Sequence, residues 1–426
     1  MDRVLISSIK NAQKEANLKG RVINIRDLSN VSFFQLMDYT GSIQVVYSSK
    51  LDIKIGDLIS VIGEIVEEKR AKSGFEVQAS KIELISGSSE DLPFEISKPD
   101  LKLQLTNLLD WRTISLRHPK IIAIFKLYDI LLSEYETVMR EEGFTEVKTP
   151  KIIETASEGG ANFFKIQYFE KEAYLAQSPQ LYKQILTGVF ERVFEIGSVF
   201  RAEPHFTTRH VNEYTGLDAE MGMIDSFYDV TAMLNKVMKK IFKGINEKGS
   251  QYLKLYNVEL KEVPEKIPHI KLAEVKKIIK DKYNYTVPEG VDIDPEAERL
   301  ASRYAKEELK SDFLFVTHYP WKDKPFYTMP ADDEQKETLG FDLLYKGMEL
   351  ATGSQRIHQY DKLIENMKKK GVKEKGLEFY LETFKFAMPP HGGWGLGSER
   401  IIQMILGLGT VKEAVLFPRD VKRLRP

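Results

Sequence analysis

Residues 200–203 read Phe-Arg-Ala-Glu, and residues 395–400 read Gly-Leu-Gly-Ser-Glu-Arg. The first stretch ends a run, 193–203, in which apolar and charged residues alternate as they do in a half-buried strand. The run 213–221 alternates again, so the two runs predict a hairpin. If their polar faces coincide, one sheet surface carries an arginine for phosphate, acidic side chains, an aromatic ring for a base and a glycine that allows close approach. Such a surface predicts a nucleotide site.

Each of the two motifs also has a plainer interpretation. Arg201 and Glu203 are compatible with a surface ion pair, and the glycine-rich run is compatible with a loop that opens a helix. A dinucleotide fingerprint is excluded because Ser398 stands where its third glycine should be, and the sequence has no Walker-type phosphate loop. The nucleotide interpretation therefore depends on the two motifs occurring together.

The composition predicts a globular chain with large cores, since 42% of the 426 residues are hydrophobic. The 62 basic and 63 acidic residues nearly cancel, so a nucleic-acid partner would be bound through local patches. The absence of cysteine excludes disulfides, thiolate metal sites and a thiol nucleophile. No segment reaches membrane-spanning length and residues 1–20 lack the apolar core of a signal peptide, so we expect a cytoplasmic location and no membrane partner.

The N-terminal region has the pattern of a small β-barrel. Five alternating runs favour an OB-type barrel, a fold that binds oligonucleotides, although a different small barrel stays open. Residues 87–118, with their serines, glycines and prolines, are typical of a hinge. We therefore predict an α+β fold with a barrel at 1–90, a hinge at 91–118 and a larger domain at 119–426. The five predicted strands are 18–26, 31–38, 42–47, 57–67 and 75–85.

Residues 225–320 predict amphipathic helices rich in lysine and glutamate, which we interpret as a structural layer without chemistry. Upstream of them, Ser178 and Pro179 are typical of a helix start. Gln180 and Lys183 then share one helix face. A lysine in the first turn is disfavoured by the helix dipole, which indicates a fixed anionic partner, although an ordinary surface lysine is also compatible with the pattern.

A second hairpin is predicted at 341–352, with Lys346-Gly347 as its turn. This register would make Asp342 and Glu349 diagonal neighbours on one face. Two such carboxylates suit Mg²⁺, which binds through one or two carboxylates plus substrate phosphates; the alternative is a hairpin with solvent-facing acids. Arg356 follows the hairpin, where its planar fork can hold a carboxylate with two hydrogen bonds.

These motifs resemble those of the class II aminoacyl-tRNA synthetases. The strand with Arg201 resembles motif 2, and the glycine-rich run resembles motif 3. A helical run at 119–142 followed by a strand at 144–150 resembles motif 1, which builds the dimer interface in that family, so we expect a homodimer. The likeness narrows to the aspartyl-tRNA synthetases of the archaeal and eukaryotic type through three further segments, which are 176–184, 353–358 and 416–420.

The resemblance covers essentially the whole chain and implies a catalytic domain with an antiparallel sheet flanked by helices, preceded by an OB-fold barrel. It also implies a reaction. L-aspartate and ATP would give aspartyl-adenylate, and the aspartyl group would pass to the 3′ end of tRNA(Asp), with tRNA(Asn) left open as a second acceptor. Two other functions stay open: a synthetase-like asparagine synthetase, which lacks the anticodon barrel, and an inactive RNA-binding paralogue, which usually loses a motif arginine or metal acid.

Carried over position by position, the resemblance assigns site residues. Arg201 and Arg400 would be catalytic, through charge neutralisation. Aspartate would meet Glu158, Gln180, Lys183, Arg201, Asp218, Thr352 and Arg356. ATP would meet Arg201, Glu203, Arg209, His210, Val211, Tyr214, Glu349, Gly397, Ser398, Glu399 and Arg400. Mg²⁺ would be held by Asp342, Glu349 and Thr352, and the anticodon would be contacted by Arg26, Phe33, Gln44 and Lys72.

The barrel departs from the family pattern in its first strand. Arg21 replaces a usual tryptophan, and Ile23 stands where enzymes strict for tRNA(Asp) carry tryptophan and relaxed ones carry histidine. Lys72 matches a lysine that accompanies strict recognition. We therefore expect a partial preference for tRNA(Asp). Phe33 is compatible with base stacking and equally with the barrel core, since Phe34 beside it must point the other way.

Overall fold

The computed structural model describes residues 2–9, 14–28, 30–69, 71, 74–98, 100–154, 162–204 and 207–426. The chain divides into two compact units, residues 1–121 and 122–426. The predicted domain boundaries at 90 and 118 stay a prediction, since the structural division falls between Ile121 and Ile122.

The first unit contains a closed five-stranded barrel, with the order β1-β2-β3-β5-β4. All five predicted strands are present, and closure of the sheet is what an OB-type barrel requires. Alternate residues such as Leu18, Phe34 and Val45 fill its interior. Ile23 is the extra residue of an irregularity in the pairing of β1 with β2. The strands are β1 (Glu15–Leu28), β2 (Val31–Met37), β3 (Ser42–Tyr47), β4 (Leu58–Glu67) and β5 (Phe75–Ser86).

The second unit is built on an eight-stranded sheet with a separate three-stranded sheet, β7-β9-β8. The order in the large sheet is β12-β13-β14-β15-β16-β11-β10-β6. Its strands are β6 (Thr145–Glu146), β10 (Arg192–Phe200), β11 (Glu213–Gly222), β12 (His269–Lys271), β13 (Phe313–Thr317), β14 (Gly340–Tyr345), β15 (Met348–Gln355) and β16 (His391–Gly397). The small sheet comprises β7 (Ile152–Ile153), β8 (Lys165–Tyr168) and β9 (Lys171–Leu175).

The expectation of an antiparallel sheet holds for its six central strands and is incomplete at both edges. The edge strand β6 pairs in parallel with β10, and β12 pairs in parallel with β13. Parallel neighbours need long crossover connections, and the segments that follow β6 and β12 provide them. The motif 1 strand is also shorter than predicted, with two residues in place of 144–150.

Helices surround this sheet and contribute most of its apolar core. The largest core joins the apolar sides of α3, α5 and α10 to Leu217, Phe341 and Trp394 of the sheet. No helix among the described residues is long and apolar enough to cross a membrane. The helices of this unit are α3 (Pro119–Glu141, which begins just before the boundary), α4 (Gln180–Phe190), α5 (Phe227–Lys254), α6 (Leu272–Tyr283), α7 (Pro295–Glu308), α8 (Tyr360–Lys369), α9 (Glu378–Phe384) and α10 (Ser398–Leu406); the first unit contains α1 (Leu105–Asp110) and α2 (Arg112–Ser115).

The segment 225–320 is mostly helical as predicted, through α5, α6 and α7, but it also contributes the sheet strands β12 and β13. All of β13 is buried. Phe313 and Phe315 pack into the largest core, whereas Leu314 and Val316 pack with α6 and α7. A strand covered on both faces loses the alternation that reveals strands in a sequence, which explains why this one was missed.

Candidate active site

A cleft in the second unit brings the motif 2, motif 3 and Arg356 segments together. It encloses about 1020 Å³ of empty space, counting the part open to solvent. Its lining comprises Gln177, Ser178, Gln180, Val199, Arg201, Glu203, Arg209, His210, Val211, Tyr214, Gly216, Asp218, Tyr327, Glu349, Leu350, Thr352, Arg356, Gly395, Leu396, Gly397, Glu399, Arg400 and Val411. Most of the residues predicted for aspartate and ATP therefore share one cavity.

Strand register explains how distant segments meet on the floor of the cleft. Val199 pairs with Tyr214 across the motif 2 hairpin, so the two alternating faces coincide as predicted. Asp218 then pairs with Gly395 of β16, and Gly395 pairs with Thr352 of β15. Because side chains alternate along a strand, the neighbours of Asp218 on β11 turn to the other face, where Leu217 and Ala219 belong to the largest core.

One end of the cleft carries the cations expected for a nucleotide. Arg201 lies with its Cζ 5.6 Å from the centre of the Tyr214 ring, and its NH1 is 3.8 Å from Glu203 Oε1. The strand was predicted to end at Glu203, but it ends at Phe200. Arg400 donates from NH1 to the backbone oxygen of Glu349 at 3.1 Å. Arg201 and Glu203, which are two residues apart, therefore lie on one side of the chain beyond the last residue of β10.

Ser398 does not line the cleft, although it was predicted to contact ATP. Its hydroxyl is fully buried and donates to the backbone oxygen of Thr215 at 2.8 Å. Glu399 accepts the Thr215 N–H at 2.9 Å and the Tyr128 hydroxyl at 3.2 Å. Burial raises the pKa of Glu399, while the Thr215 N–H and other donors oppose that shift. These contacts hold the first turn of α10 against β11, where it positions Arg400.

The other end of the cleft contains a buried cluster of four charged side chains. Lys183 Nζ lies 3.0 Å from Asp218 Oδ1 and 3.5 Å from Glu220 Oε2, and it donates to the backbone oxygen of Trp394 at 2.8 Å. Arg356 donates from Nε to Glu220 Oε1 at 2.8 Å and from NH2 to Gln180 Oε1 at 3.4 Å. The predicted anionic partner of Lys183 is thus present within the protein.

Glu220 joins the two cations and was not among the predicted site residues. Burial acts to raise its pKa, but the charges of Arg356 and Lys183 outweigh burial and hold that pKa below its usual value. Gly393 lies beside it, and a Cβ there would come within 2.1 Å of the Ala219 backbone oxygen. The strand alternation had already put Glu220 on the same face as Asp218, which was the available signal.

The second hairpin has the predicted two-residue turn, with Tyr345 paired to Met348 and Leu344 paired to Glu349. A register shift then sets Asp342 opposite Thr352, and the Thr352 hydroxyl donates to the Asp342 carboxylate. Burial and the nearby charge of Asp342 both raise the pKa of Glu349. Lys324, another residue that the sequence did not indicate, lies 3.5 Å from Asp342.

These residues fit a magnesium ion that takes some of its ligands from the protein and the others from a substrate. The mutual repulsion of Asp342 and Glu349 is the electrostatic setting that a divalent cation relieves. The described residues contain no group of three or more His, Cys, Asp or Glu that could hold a metal by themselves. Mg²⁺ commonly takes only one or two protein carboxylates and completes its shell with phosphates and water.

In the first unit, the described residues that were predicted to contact the anticodon share the outer face of the barrel. Phe34 is buried and Phe33 is half-buried on the opposite side of β2, so Phe33 is not part of the barrel core. Arg26 pairs with Phe33 across the strands, and Gln44 donates to Glu76 at 2.9 Å. Lys72 and Glu158 lie outside the described residues.

Comparison with known proteins identifies the class that this fold and cleft define. Residues 104–421 match the family model of class II tRNA synthetases (D, K and N), and residues 16–85 match the OB-fold nucleic acid binding domain. The chain therefore belongs to the class II tRNA synthetases of the D, K and N group. It is a ligase that forms aminoacyl-tRNA, and membership of this family implies that ATP is a substrate.

Individual relatives are similar over their whole length. A protein of Aeropyrum pernix, aspartate–tRNA(Asp/Asn) ligase, is 42% identical over 97% of this chain and 98% of its own. A protein of Pyrococcus horikoshii, aspartate–tRNA(Asp) ligase, is 40% identical over 97% and 96%. The crystal structure of asparaginyl-tRNA synthetase from Pyrococcus horikoshii, complexed with asparaginyl-adenylate, superposes with a TM-score of 0.92 at 28% identity and covers all of both chains.

Proposed function

We propose that this chain is an aspartate–tRNA ligase whose cleft activates L-aspartate with ATP. The observation that carries the proposal is a buried pair of cations: Arg356 lines the cleft together with Arg201, Arg209 and Arg400, and Lys183 is joined to Arg356 through Glu220. A substrate with a carboxylate side chain suits the end of the cleft beside Arg356, and a triphosphate suits the end that carries the other arginines. The full-length likeness to aspartate–tRNA ligases supports the same assignment.

The first step joins the amino acid to the nucleotide. An α-carboxylate oxygen of aspartate attacks the α-phosphorus of ATP, and the bond to the bridging oxygen of pyrophosphate breaks. Arg201 would neutralise charge at the α-phosphate. Arg209, His210 and Arg400 would bind the outer phosphates, and Tyr214 would stack on adenine. Catalysis of this kind comes from positioning and charge neutralisation and needs no protein nucleophile.

Asp342, Glu349 and Thr352 would hold Mg²⁺, which would draw negative charge away from the phosphates when it is bound. In the second step a ribose hydroxyl at the 3′ end of tRNA attacks the aspartyl carbonyl carbon, and AMP leaves. Asp218 and Gln180 lie beside the proposed carboxylate pocket and would bind the amino-group side of aspartate. Glu203, Val211, Gly397 and Glu399 complete the proposed nucleotide wall, with Ser398 acting from behind it through its contact with Thr215.

Choice between aspartate and asparagine is the sharpest test, because the structure also superposes on an asparaginyl enzyme. ATP–pyrophosphate exchange should depend on aspartate and not on asparagine, because a side-chain carboxylate offers two acceptor oxygens to the cationic donors, whereas an amide replaces one of them with a competing N–H donor. Equal exchange with asparagine would contradict the assignment. Charging of purified tRNA would then separate a tRNA ligase from a synthetase that transfers the adenylate to ammonia.

For the tRNA, we propose that Arg26, Phe33 and Gln44 on the outer face of the barrel read the anticodon together with Lys72, which lies outside the described residues, and that the enzyme partially prefers tRNA(Asp). The two anticodons differ only at the last base, and one base contact is worth about 1 to 3 kcal/mol. Ile23 supplies neither a stacking ring nor a hydrogen bond. Comparing kcat/KM for tRNA(Asp) and tRNA(Asn) tests this proposal, and a ratio near one would indicate a relaxed enzyme, as the name of the Aeropyrum relative implies for that protein.

We further propose that the enzyme is a cytoplasmic homodimer that pairs through the motif 1 region, residues 119–150. The support is the resemblance of this region to the dimer-forming motif of the family. Sedimentation at micromolar concentration tests the dimer, and a monomer with full exchange activity would contradict it.

A further inference from the structure

The side chain of Arg209 is held by α7, a helix to which the sequence assigned no chemistry. Arg209 donates from NH1 to Glu298 Oε2 at 2.6 Å and from NH2 to the Gly347 backbone oxygen at 3.3 Å. Arg209 and Glu298 are both largely buried, with side-chain exposures of 19% and 9%. A short, charge-assisted contact of this kind fixes the plane of the guanidinium.

Burial raises the pKa of Glu298, while the charge and the hydrogen bond of Arg209 oppose that shift. Glu298 lies in the first turn of α7, where the helix dipole favours a negative charge. The backbone of the Arg209 loop is anchored as well, since Val411 N–H donates to the Thr208 oxygen at 2.9 Å. Loop backbone and arginine side chain are therefore both anchored from outside the loop.

The same helix also meets the turn that precedes Glu349. Gly347 adopts a φ of +92°, and a Cβ at that position would come within 3.0 Å of Arg299 Cγ. Its backbone oxygen is the second acceptor of Arg209. The first turns of α7 therefore set the distance between the Arg209 guanidinium and the hairpin that carries the proposed magnesium acids.

We propose that Glu298 is a positioning residue for ATP binding. It orients Arg209 toward the terminal phosphates. This inference rests on the proposed function and deepens it. A guanidinium keeps N–H groups in its plane beyond those that Glu298 and Gly347 occupy, and Arg209 is one of the residues that line the cleft. Glu298 acts on the nucleotide mainly by orienting Arg209, and its charge also acts on the nearby Glu349 and Arg400. It has no part in binding aspartate.

The test is a double-mutant cycle with Glu298→Gln and Arg209→Gln, measured by ATP–pyrophosphate exchange on the full chain. Glu298→Gln should raise KM for ATP and for pyrophosphate about tenfold and leave KM for aspartate within about twofold. In the Arg209→Gln background it should cause a much smaller change, because the side chain that it orients is gone. Glu296→Gln is the matched control, since Glu296 lies in the same helical turn but pairs with Arg299 at the surface.

Three results would overturn the proposal: an unchanged KM for ATP in Glu298→Gln, an equal rise for ATP and aspartate, or a full additional effect in the Arg209→Gln background. Thermal unfolding of each variant, without ligand, separates a loss of fold from a loss of orientation. If the wild type shows no aspartate-dependent exchange, the proposed function fails. Calorimetric titration with ATP and Mg²⁺ through the same cycle still decides the role of Glu298.

Discussion

Replacing Glu220 with glutamine changes the charge of the buried cluster while keeping its shape. In the wild type, Lys183 and Arg356 are balanced by Asp218 and Glu220, so the formal charge of the cluster is zero. The variant leaves one positive charge in excess inside the protein. Arg356 donates to both oxygens of Glu220, from Nε to Oε1 at 2.8 Å and from NH2 to Oε2 at 3.3 Å. Glutamine cannot accept both of these hydrogen bonds, since one of its two terminal atoms is a donor.

The expected cost follows from the distances. At an effective dielectric constant of 20, charges separated by 2.8 Å and 3.5 Å, as Glu220 is from Arg356 and Lys183, attract by about 6 and about 5 kcal/mol. Desolvation of the carboxylate cancels much of this attraction, and removal of one partner from a buried ion pair typically costs about 3 to 5 kcal/mol. We expect the free energy of unfolding to fall by that net amount.

Urea unfolding at pH 7 measures this loss, with Glu213→Gln as the control because Glu213 is an exposed residue of the same strand. Aspartate should restore more stability to the Glu220→Gln variant than to the wild type, because its side-chain carboxylate supplies a negative charge beside the same cations. A loss below about 1 kcal/mol, within the range of an exposed pair, would refute the description of the cluster. An equal effect of aspartate on both proteins would refute the placing of its carboxylate there.

Four further predictions concern other parts of the chain. Arg356→Leu should lower kcat/KM for aspartate in the exchange reaction by more than about 100-fold, with ATP affinity unchanged by calorimetry; a fall below tenfold would contradict its role. Glu349→Gln should abolish exchange and weaken binding of Mn²⁺ in the presence of ATP, seen by electron paramagnetic resonance, whereas retained activity would exclude it as a metal ligand. Phe33→Ala should raise KM for tRNA about tenfold by removing a stacking contact and leave exchange intact, and an unchanged KM would remove Phe33 from the anticodon surface. Burial lowers the pKa of His391 to about 4 from its usual 6.5. The unfolded chain therefore binds this proton more readily, and the free energy of unfolding should fall by about 3 kcal/mol as the pH falls from 6.5 to 4. In His391→Asn, urea unfolding at a series of pH values should lack that part of the pH dependence, and an identical pH dependence would contradict the prediction.

Much of the architecture could be predicted because the deciding segments alternate. The barrel strands and the motif 2 hairpin have one face in the core and the other on solvent or in the cleft, so a period of two is visible in the sequence. In the second hairpin β14 is buried throughout, and its turn, Lys346-Gly347, was the visible signal. The coincidence of the motif 2 faces followed from the same pattern, as did the placing of Asp218. The resemblance to class II synthetases then indicated which distant residues, such as Lys183 and Arg356, belong to one site.

The residues that were missed make their contacts across long separations in the chain. Glu298 meets Arg209 from a helix 89 positions away, and Lys324 meets Asp342 from a loop that precedes β14. A charged residue on an amphipathic helix is normally solvated, so nothing local distinguishes Glu298 from Glu296. Ser398 shows the opposite error, because a residue inside a motif can face the strand behind the cleft.

The place of β11 between β10 and β16 has a consequence for synthesis on the ribosome. Its partner β10 is made just before it, whereas β16 begins at His391, after β11 has ended at Gly222. At about 5 to 20 residues per second, the second edge of β11 waits roughly 10 to 30 seconds for its neighbour. During that time the nascent chain presents an unpaired strand edge beside the carboxylates of Asp218 and Glu220. These charges disfavour pairing with another chain while the strand waits, as inward-pointing charges do at the edges of finished sheets.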